Sequence, residues 1–508
     1  MQTPPVTSKA SCFTASLFLL MALPLLSLPV SVQAATLKVP STAYPTIQAG
    51  VDATRDGDTV LVAAGTYTGA GNRDIDFGGK NITVVSQSGA ADTIIDCEGD
   101  DSDNHRGFYL HSGESHAVIS GLTIENGYEG HYTATDHNIT DFLDGGGIYN
   151  SGAGVTVQNC IIMDSHATGN GGGIFNDNEG SGTFTVSNCT LIYNSASGGG
   201  GILNGNGTAG NGIAGNGTIT VTNCTLTNNT AQSGGGIANL NDGSATITVV
   251  NCTFDSNGAD DYGFGSGGGI DNENDGSNPI SVTNCTFVGN STDHNGGGIH
   301  NYNPTGGPIV LTNDILYGDR GGEISDDGGI VVVPSVVTFC DIQGNDDDPE
   351  NHNIDADPLF VDAAAGDYHL MPGSPCAGMG TTSAPTYLPY TEDYQPRPTP
   401  PGIGAYEVKA ARLVLTNITI SRSGGIVTVT AKIQNYGNAG ANTVQITSAK
   451  LAGASAHMPL PGPYVIPAGG VQTVRLTFTT NGTGRRPLSI QGVSNGPSFS
   501  AGQFLTVP

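Results

Sequence analysis

Five Asn-Cys pairs, Asn159-Cys160, Asn188-Cys189, Asn223-Cys224, Asn251-Cys252 and Asn284-Cys285, are the first residues here whose types could do chemistry. Thiolates bind soft metals and exchange disulfides. Zinc sites draw on Cys-x-x-Cys spacings, whereas these pairs recur every 28 to 35 residues and should stack in a column. Column neighbours sit near the short limit of disulfide Cα distances with parallel side chains, so bridges and buried free thiols both stay open, free thiols fitting better. A second recurring set follows glycine runs: Asn176/Asn178, Asn204/Asn206, Asn239/Asn241, Asn272/Asn274 and Asn301/Asn303. In "DNENDG", Asp271, Glu273 and Asp275 add hard oxygen ligands, so that loop could take calcium. An exposed Asn-rich turn with solvated acids is the other reading.

Acid-base chemistry has two candidate locations. His105, His111, His116, His131 and His137 gather near Asp136, Asp141 and Asp144, in the least regular stretch of the chain. They could serve a polysaccharide lyase, or the stretch is a long covering loop. Asp260-Asp261, with Tyr262 and Phe264 close by, is the best pair for a glycoside hydrolase, which needs two carboxyl groups flanking a sugar bond. Lyases of uronate polymers commonly use an Arg or Lys base, yet residues 107 to 319 hold 19 acidic residues and no Lys or Arg. The same count excludes a nucleic-acid face there, since such faces neutralise phosphates with cations.

Charge divides the chain. Up to Glu407 there are 8 basic and 45 acidic residues, a net −37; beyond it there are 8 basic residues and no acid, a net +8. At 508 residues the chain has room for two or three cores. With 77 Gly, no Trp and 12% charged residues, it reads as β-rich and turn-rich. Lys9, the apolar run from Phe13 to Val30 and Val32-Gln33-Ala34 predict a signal peptide over residues 1–34, cleaved after Ala34. Pro24 and Pro29 interrupt that run and argue against a retained membrane anchor, and Cys12 precedes the run, so a lipidated N-terminal cysteine does not fit.

The elements that must position these groups follow from alternation. Ile219 and Val221 precede the pair and Cys224 and Leu226 follow it, so the apolar phase jumps by one at Asn223. The same jump occurs at the other four pairs, and a strand cannot make it without turning a corner. Asn tolerates the left-handed conformation such a corner needs. Glycine runs at 145–147, 171–173, 198–201, 234–236, 267–269 and 296–298 supply the next turn, each before an inward Ile. Three short strands per repeat describe a parallel β-helix; propeller blades need four strands and longer repeats. Ten to twelve coils at about 4.8 Å each make a rod roughly 50 Å long. Residues 408–508 alternate as a small antiparallel β-sandwich, after a Pro-rich linker around Pro396 to Pro401.

The "GGGI" and Phe/Leu-x-x-Asn motifs (Phe254 to Asn257, Phe287 to Asn290, Leu191 to Asn194, Leu226 to Asn229) resemble the repeats of the polymorphic outer membrane protein family. That resemblance implies a β-helical surface protein or adhesin; the family's transporter barrel has no counterpart after residue 360. "TIQAGVDATRDGDTVLVAAGTYTG" is similar to the opening coil of the pectin-lyase-like right-handed β-helices and implies an amphipathic N-terminal cap. "DADPLFVDAAAGDYHLMPGSPCAGMG" with "PGIGAYE" resembles the choice-of-anchor Q module of bacterial surface proteins, and "VTVTAKIQNYGNAGANTVQI" looks loosely like CARDB or other immunoglobulin-like adhesion modules.

The expectation is an all-β protein: cap and helix over 35–360, end module over 361–407, basic sandwich over 408–508. It would be secreted or held at a bacterial surface, with an adhesive, glycan-binding or structural role, no required cofactor, and an extracellular glycan or surface component as partner. A polysaccharide lyase or glycoside hydrolase is the alternative.

Overall fold

Apolar residues that alternate, change phase at an asparagine and then meet a glycine run stay inside only if the chain turns repeatedly and stacks coil on coil. The computed structural model describes residues 33–508 apart from 131–142, 178–181, 206–217, 242–245, 261–264, 275–278, 303–306, 328–333, 346–347, 409–412, 436–440, 468–469, 481–482 and 494–498. Three long parallel sheets wrap one core: sheet A has 11 strands, sheet B 10 and sheet C 8. In one coil, Thr218–Thr222 lies in sheet A, Thr225–Thr227 in sheet B and Ile237–Asn241 in sheet C. The register onto the next coil keeps like on like: Val221 pairs with Val249, Leu226 with Phe254 and Ile237 with Ile270.

The corner after sheet A is one residue in the left-handed region, at φ 54° for Asn159, 55° for Asn188, 51° for Asn223, 52° for Asn251 and 55° for Asn284. That is the phase jump in physical form. Each glycine run holds one residue at positive φ at or next to its start, such as 64° at Gly199, 62° at Gly267 and 65° at Gly296. The residue after it is glycine for a different reason, since a Cβ on Gly268 would sit 2.6 Å from the backbone oxygen of Gly297. Ile148, Ile174, Ile202, Ile237, Ile270 and Ile299 after those turns are all buried. Alternation did not show a fourth set of short strands between sheets B and C, Thr230–Ala231, Gly258–Ala259 and Ser291–Thr292, which pair in parallel. Two residues carry no period.

A helix at Ile47–Asp52, capped by the Thr46 hydroxyl, puts Ile47 and Val51 into the first coils of the core. At the other end a hairpin, Phe360–Asp362 with Asp367–Leu370, helps build a small cluster of Ile315, Leu370, Cys376 and Ile403. Leu413–Ser423, Ile426–Asn435 and Val471–Thr479 form one antiparallel sheet; Ala441–Leu451, Gly484–Val493 and Phe499–Val507 form most of a second. Val429, Ile433 and Phe478 meet Ile446, Ile490 and Val507 in one core, which makes this region a sandwich. Among the described residues no helix is long and apolar enough to cross a membrane.

The Pro-rich stretch read as a linker is docked on the rod. Residues 381–407 run along the asparagine corner and back: Asn313 exchanges hydrogen bonds of 2.8 Å with the backbone of Thr381, Asn251 donates to Tyr390 O at 2.6 Å, and Tyr394 donates to Asn188. The return leg brings Arg397 Nη2 to Asn251 Oδ1 at 3.1 Å and Ala405 N to Thr286 Oγ1 at 2.9 Å. We call this segment the strap.

Candidate functional site

The cysteine column is a hydrogen-bonded ladder inside the rod. Cys160 N donates to Cys189 Sγ at 3.5 Å, Cys189 N to Cys224 Sγ at 3.4 Å and Cys252 N to Cys285 Sγ at 3.4 Å. Each thiol in turn points at a carbonyl, as Cys224 Sγ does at Thr222 O, 3.1 Å away. The eight described cysteines are buried and unbridged, and burial pushes the thiols of Cys160, Cys189 and Cys252 up, so those three are poor nucleophiles. One coil further on, Asp314 takes the cysteine position and accepts from Cys285 N at 2.7 Å and Thr312 N at 2.8 Å.

Asparagines build further ladders. Asn194, Asn229, Asn257 and Asn290 pass amide hydrogen bonds of 2.9 to 3.0 Å from coil to coil, and Asn290 ends on Asp319. Of the paired asparagines after the glycine runs, expected either as an exposed turn or as calcium ligands, the first of each pair lies inside: Asn176, Asn204, Asn239, Asn272 and Asn301, preceded by Asn150, bond in sequence and end on Asp326, while Asn178, Asn206 and Asn303 lie outside the described residues. Exposed turn residues would follow a turn, but here the strand of sheet C continues through them and alternation carries them to the core. Two asparagine columns thus end on carboxylates of a single coil, Asp319 and Asp326, whereas the cysteine column runs on past Asp314 of that coil, whose N–H donates to Cys340 Sγ at 3.4 Å. The corner asparagines hold one another on the outside, Asn223 donating to Asn188 and Asn251 to Asn223 at 3.2 Å.

Of the three oxygens considered for calcium, Asp271 is fully enclosed with Oδ1 2.7 Å from His300 Nδ1, Glu273 is exposed two residues on, and Asp275 lies outside the described residues. His300 also approaches Asp327, at 3.3 Å; despite its burial, the Asp271 carboxylate beside it raises its pKa. Among the described residues no group of three His, Cys, Asp or Glu side chains is placed to hold a metal ion.

The histidine cluster is partly assembled. His105 Nδ1 lies 2.6 Å from Asp74 Oδ2 and its Nε2 lies 3.2 Å from Asp103. His111 stacks on Tyr109 with centroids 4.1 Å apart, and His116 bonds to Ser115 at 2.9 Å. His131, Asp136, His137 and Asp141 lie outside the described residues, as do Asp261, Tyr262 and Phe264; Asp260 is exposed. Asp144 is buried and accepts from Asn170 N at 2.6 Å, and burial raises its pKa to about 7. The residue that organises this region was missed. Arg106 is buried, bonds Glu129 Oε1 through Nε at 2.9 Å, and lies over the rings of Tyr109 and Tyr149 at 4.9 and 5.1 Å. It stands one residue before the cation-free stretch. A lone Arg between acids and aromatics was the available signal. Its guanidinium is enclosed by its own partners, so it holds Glu129 and the two tyrosines together rather than facing solvent.

Two more groups became visible only in three dimensions. Glu392, on the strap, accepts 2.6 Å bonds from the hydroxyls of Thr225 and Thr253, and burial raises its pKa to about 7. On the outer face of sheet A lies an open groove of about 760 Å³, floored by Val118, Thr156, Thr183 and Thr185 and walled by Glu114, Ser115 and His116. No family model matches this chain. No curated protein matches it either.

Proposed function

We propose that this is a secreted or surface-attached rod with an adhesive or structural role, whose sandwich holds an anionic component of a cell surface or extracellular glycan. The observation that carries the reading is the distribution of charge. The sandwich has no acid to neutralise its cations, and Lys432 and Arg475 project from the exposed face of one sheet as diagonal neighbours, with Lys432 opposite Thr473 and Arg475 opposite Thr430. Lys450 and Arg486 are exposed on the second sheet. The interior of the rod supports a scaffold, because its thiols and amides are spent on one another and on backbone. The surface-protein resemblances of the GGGI repeats and of residues 355–380 point the same way.

The test uses the chain from Ala35 onward on immobilised heparin as the anionic probe, with and without Ca²⁺, reading retention and product release together. Retention should fall steeply with salt and be lost in K432E/R475E. Retention unaffected by either would overturn the reading. The alternative is a polysaccharide lyase or glycoside hydrolase, for which the pairing of His105 with Asp74 and Asp103 is the specific support. Release of unsaturated or shortened oligosaccharides from a glycan panel would favour it, and would direct attention to His105, His111, Asp144 and Asp260.

A further inference from the structure

The groove on sheet A has a chemistry unlike that of the sandwich. Its floor is the outward column Val118, Thr156, Thr185, one residue per coil in register, with Thr183 beside it; Gly113, Gly152, Gly154 and Gly182 leave its rim without side chains. Its volume, about 760 Å³, lies within the range of ligand sites, roughly 300–1,000 Å³. Hydroxyls on the floor and the His116 ring on the wall offer donors, acceptors and a flat face. None of the lining residues is a Lys or Arg. The one acid, Glu114, is buried and already accepts from Gly79 N at 2.8 Å and Ser112 N at 3.1 Å. A polyanion would find no cation here, and would approach a region that carries acids without cations from residue 107 to 319. An uncharged, hydroxyl-rich chain meets no such penalty, and its hydroxyls match those of the threonine floor.

We propose that this groove is a binding subsite for an uncharged glycan chain, separate in place and in ligand charge from the anion-holding sandwich. The protein would then hold two surface chemistries at once, one through residues 408–508 and one through the rod.

The experiment measures binding of the chain from Ala35 onward to a panel of uncharged polysaccharides (dextran, mannan, laminarin, xyloglucan) at high salt, where heparin retention is suppressed. T156R/T185R blocks the floor with outward side chains. T220R/T248R makes the same change on the same face, outside the lining, and H116A removes one wall. At least one polysaccharide should bind, with roughly tenfold or greater weakening in T156R/T185R, a smaller loss in H116A and none in T220R/T248R. If T156R/T185R fails to fold by circular dichroism, H116A decides. Binding untouched in the groove variants, equal loss in T220R/T248R, or no binding of any uncharged polysaccharide would each overturn the proposal. K432E/R475E should leave this binding intact while losing heparin, so the two readings fail separately.

Discussion

The rod and the sandwich bury β-sheets under opposite rules. In the rod, strands are parallel, like residues stack on like, and the interior admits whole columns of Asn and Cys because each coil supplies the partner its neighbour needs. In the sandwich, strands are antiparallel and the core is almost wholly aliphatic; among the described residues Asn435, which is buried and donates to Ile466 O at 3.1 Å, is an isolated case. The rod carries the acids and the sandwich carries none. Repetition makes buried polar groups affordable, since each coil supplies a partner for the next, and here carboxylates close the C-terminal ends of the two inner asparagine ladders.

The largest effect should come from cutting an aromatic column. Phe254 and Phe287 stack inside the rod with centroids 4.4 Å apart and planes 4° from parallel. Phe287→Ala should cost the rod about 3–5 kcal/mol, and Phe478→Ala a similar amount in the sandwich. Because the two regions have separate cores, urea unfolding followed by hydrogen exchange should show each substitution lowering protection in its own region. Loss in both regions from either change would show that they unfold as one unit and would break the comparison.

Next comes the polar interior. Asn229 accepts from Asn194 N and Nδ2 and donates to Leu191 O and Asn257 Oδ1, all at 3.0 to 3.1 Å. Asn229→Leu keeps the volume and strands several buried partners, so roughly 2–4 kcal/mol should be lost, from about 1–3 for each unsatisfied group. A cost below about 1 kcal/mol would mean that water or backbone adjustment repairs the ladder.

The rod was legible in the sequence where geometry repeats and obscure where it does not. The phase jump at Asn223 and its copies announced the corner, and the glycine runs announced the next turn, because both conformations are closed to most residues. The asparagines after those runs misled because a strand of four or five residues dense in Asn looks like a loop. Tyr149, Phe175, Leu203 and Ala238 form a second buried cluster on the outer face of sheet C, which the inward isoleucine column did not reveal. The strap could not be seen at all: Tyr394 meets Asn188 across 206 residues, and no local pattern encodes that. Of the candidate site, His105 and Asp144 fell in a structured neighbourhood, but Arg106 was hidden by where the cation-free stretch begins.

A smaller effect separates the regions by pH. Burial raises Asp144 and Glu392 to about 7 and Asp314 to about 8, all in the rod and strap. A carboxyl whose folded pKa lies above its unfolded one binds more protons in the folded state between the two values, so stability falls as pH rises through that window. The rod's melting temperature should therefore drop by a few degrees from pH 5 to pH 8. The sandwich has no carboxylate side chain to titrate. Calorimetry across that range checks it, and a rod equally stable or more stable at pH 8 would contradict the burial of these acids.

The smallest effect is the response to salt, and it tests whether the charge division matters to folding as well as to binding. A net −37 up to Glu407 repels itself wherever acids are exposed, and raising ionic strength from about 0.01 to 1 M shortens the screening length from about 30 to 3 Å. Relief of that repulsion should stabilise the rod slightly, by less than about 1 kcal/mol, because exposed charges interact weakly in water. Heparin retention should move the other way over the same range, since salt competes with each cation that the sandwich offers. One titration with a neutral salt thus gives two opposite slopes from one chain. If the rod loses stability as salt rises, attractive contacts such as Arg397 with Glu407 at 2.9 Å and Arg106 with Glu129 at 2.9 Å outweigh the repulsion among its acids, and the rod is tied together by its few cations.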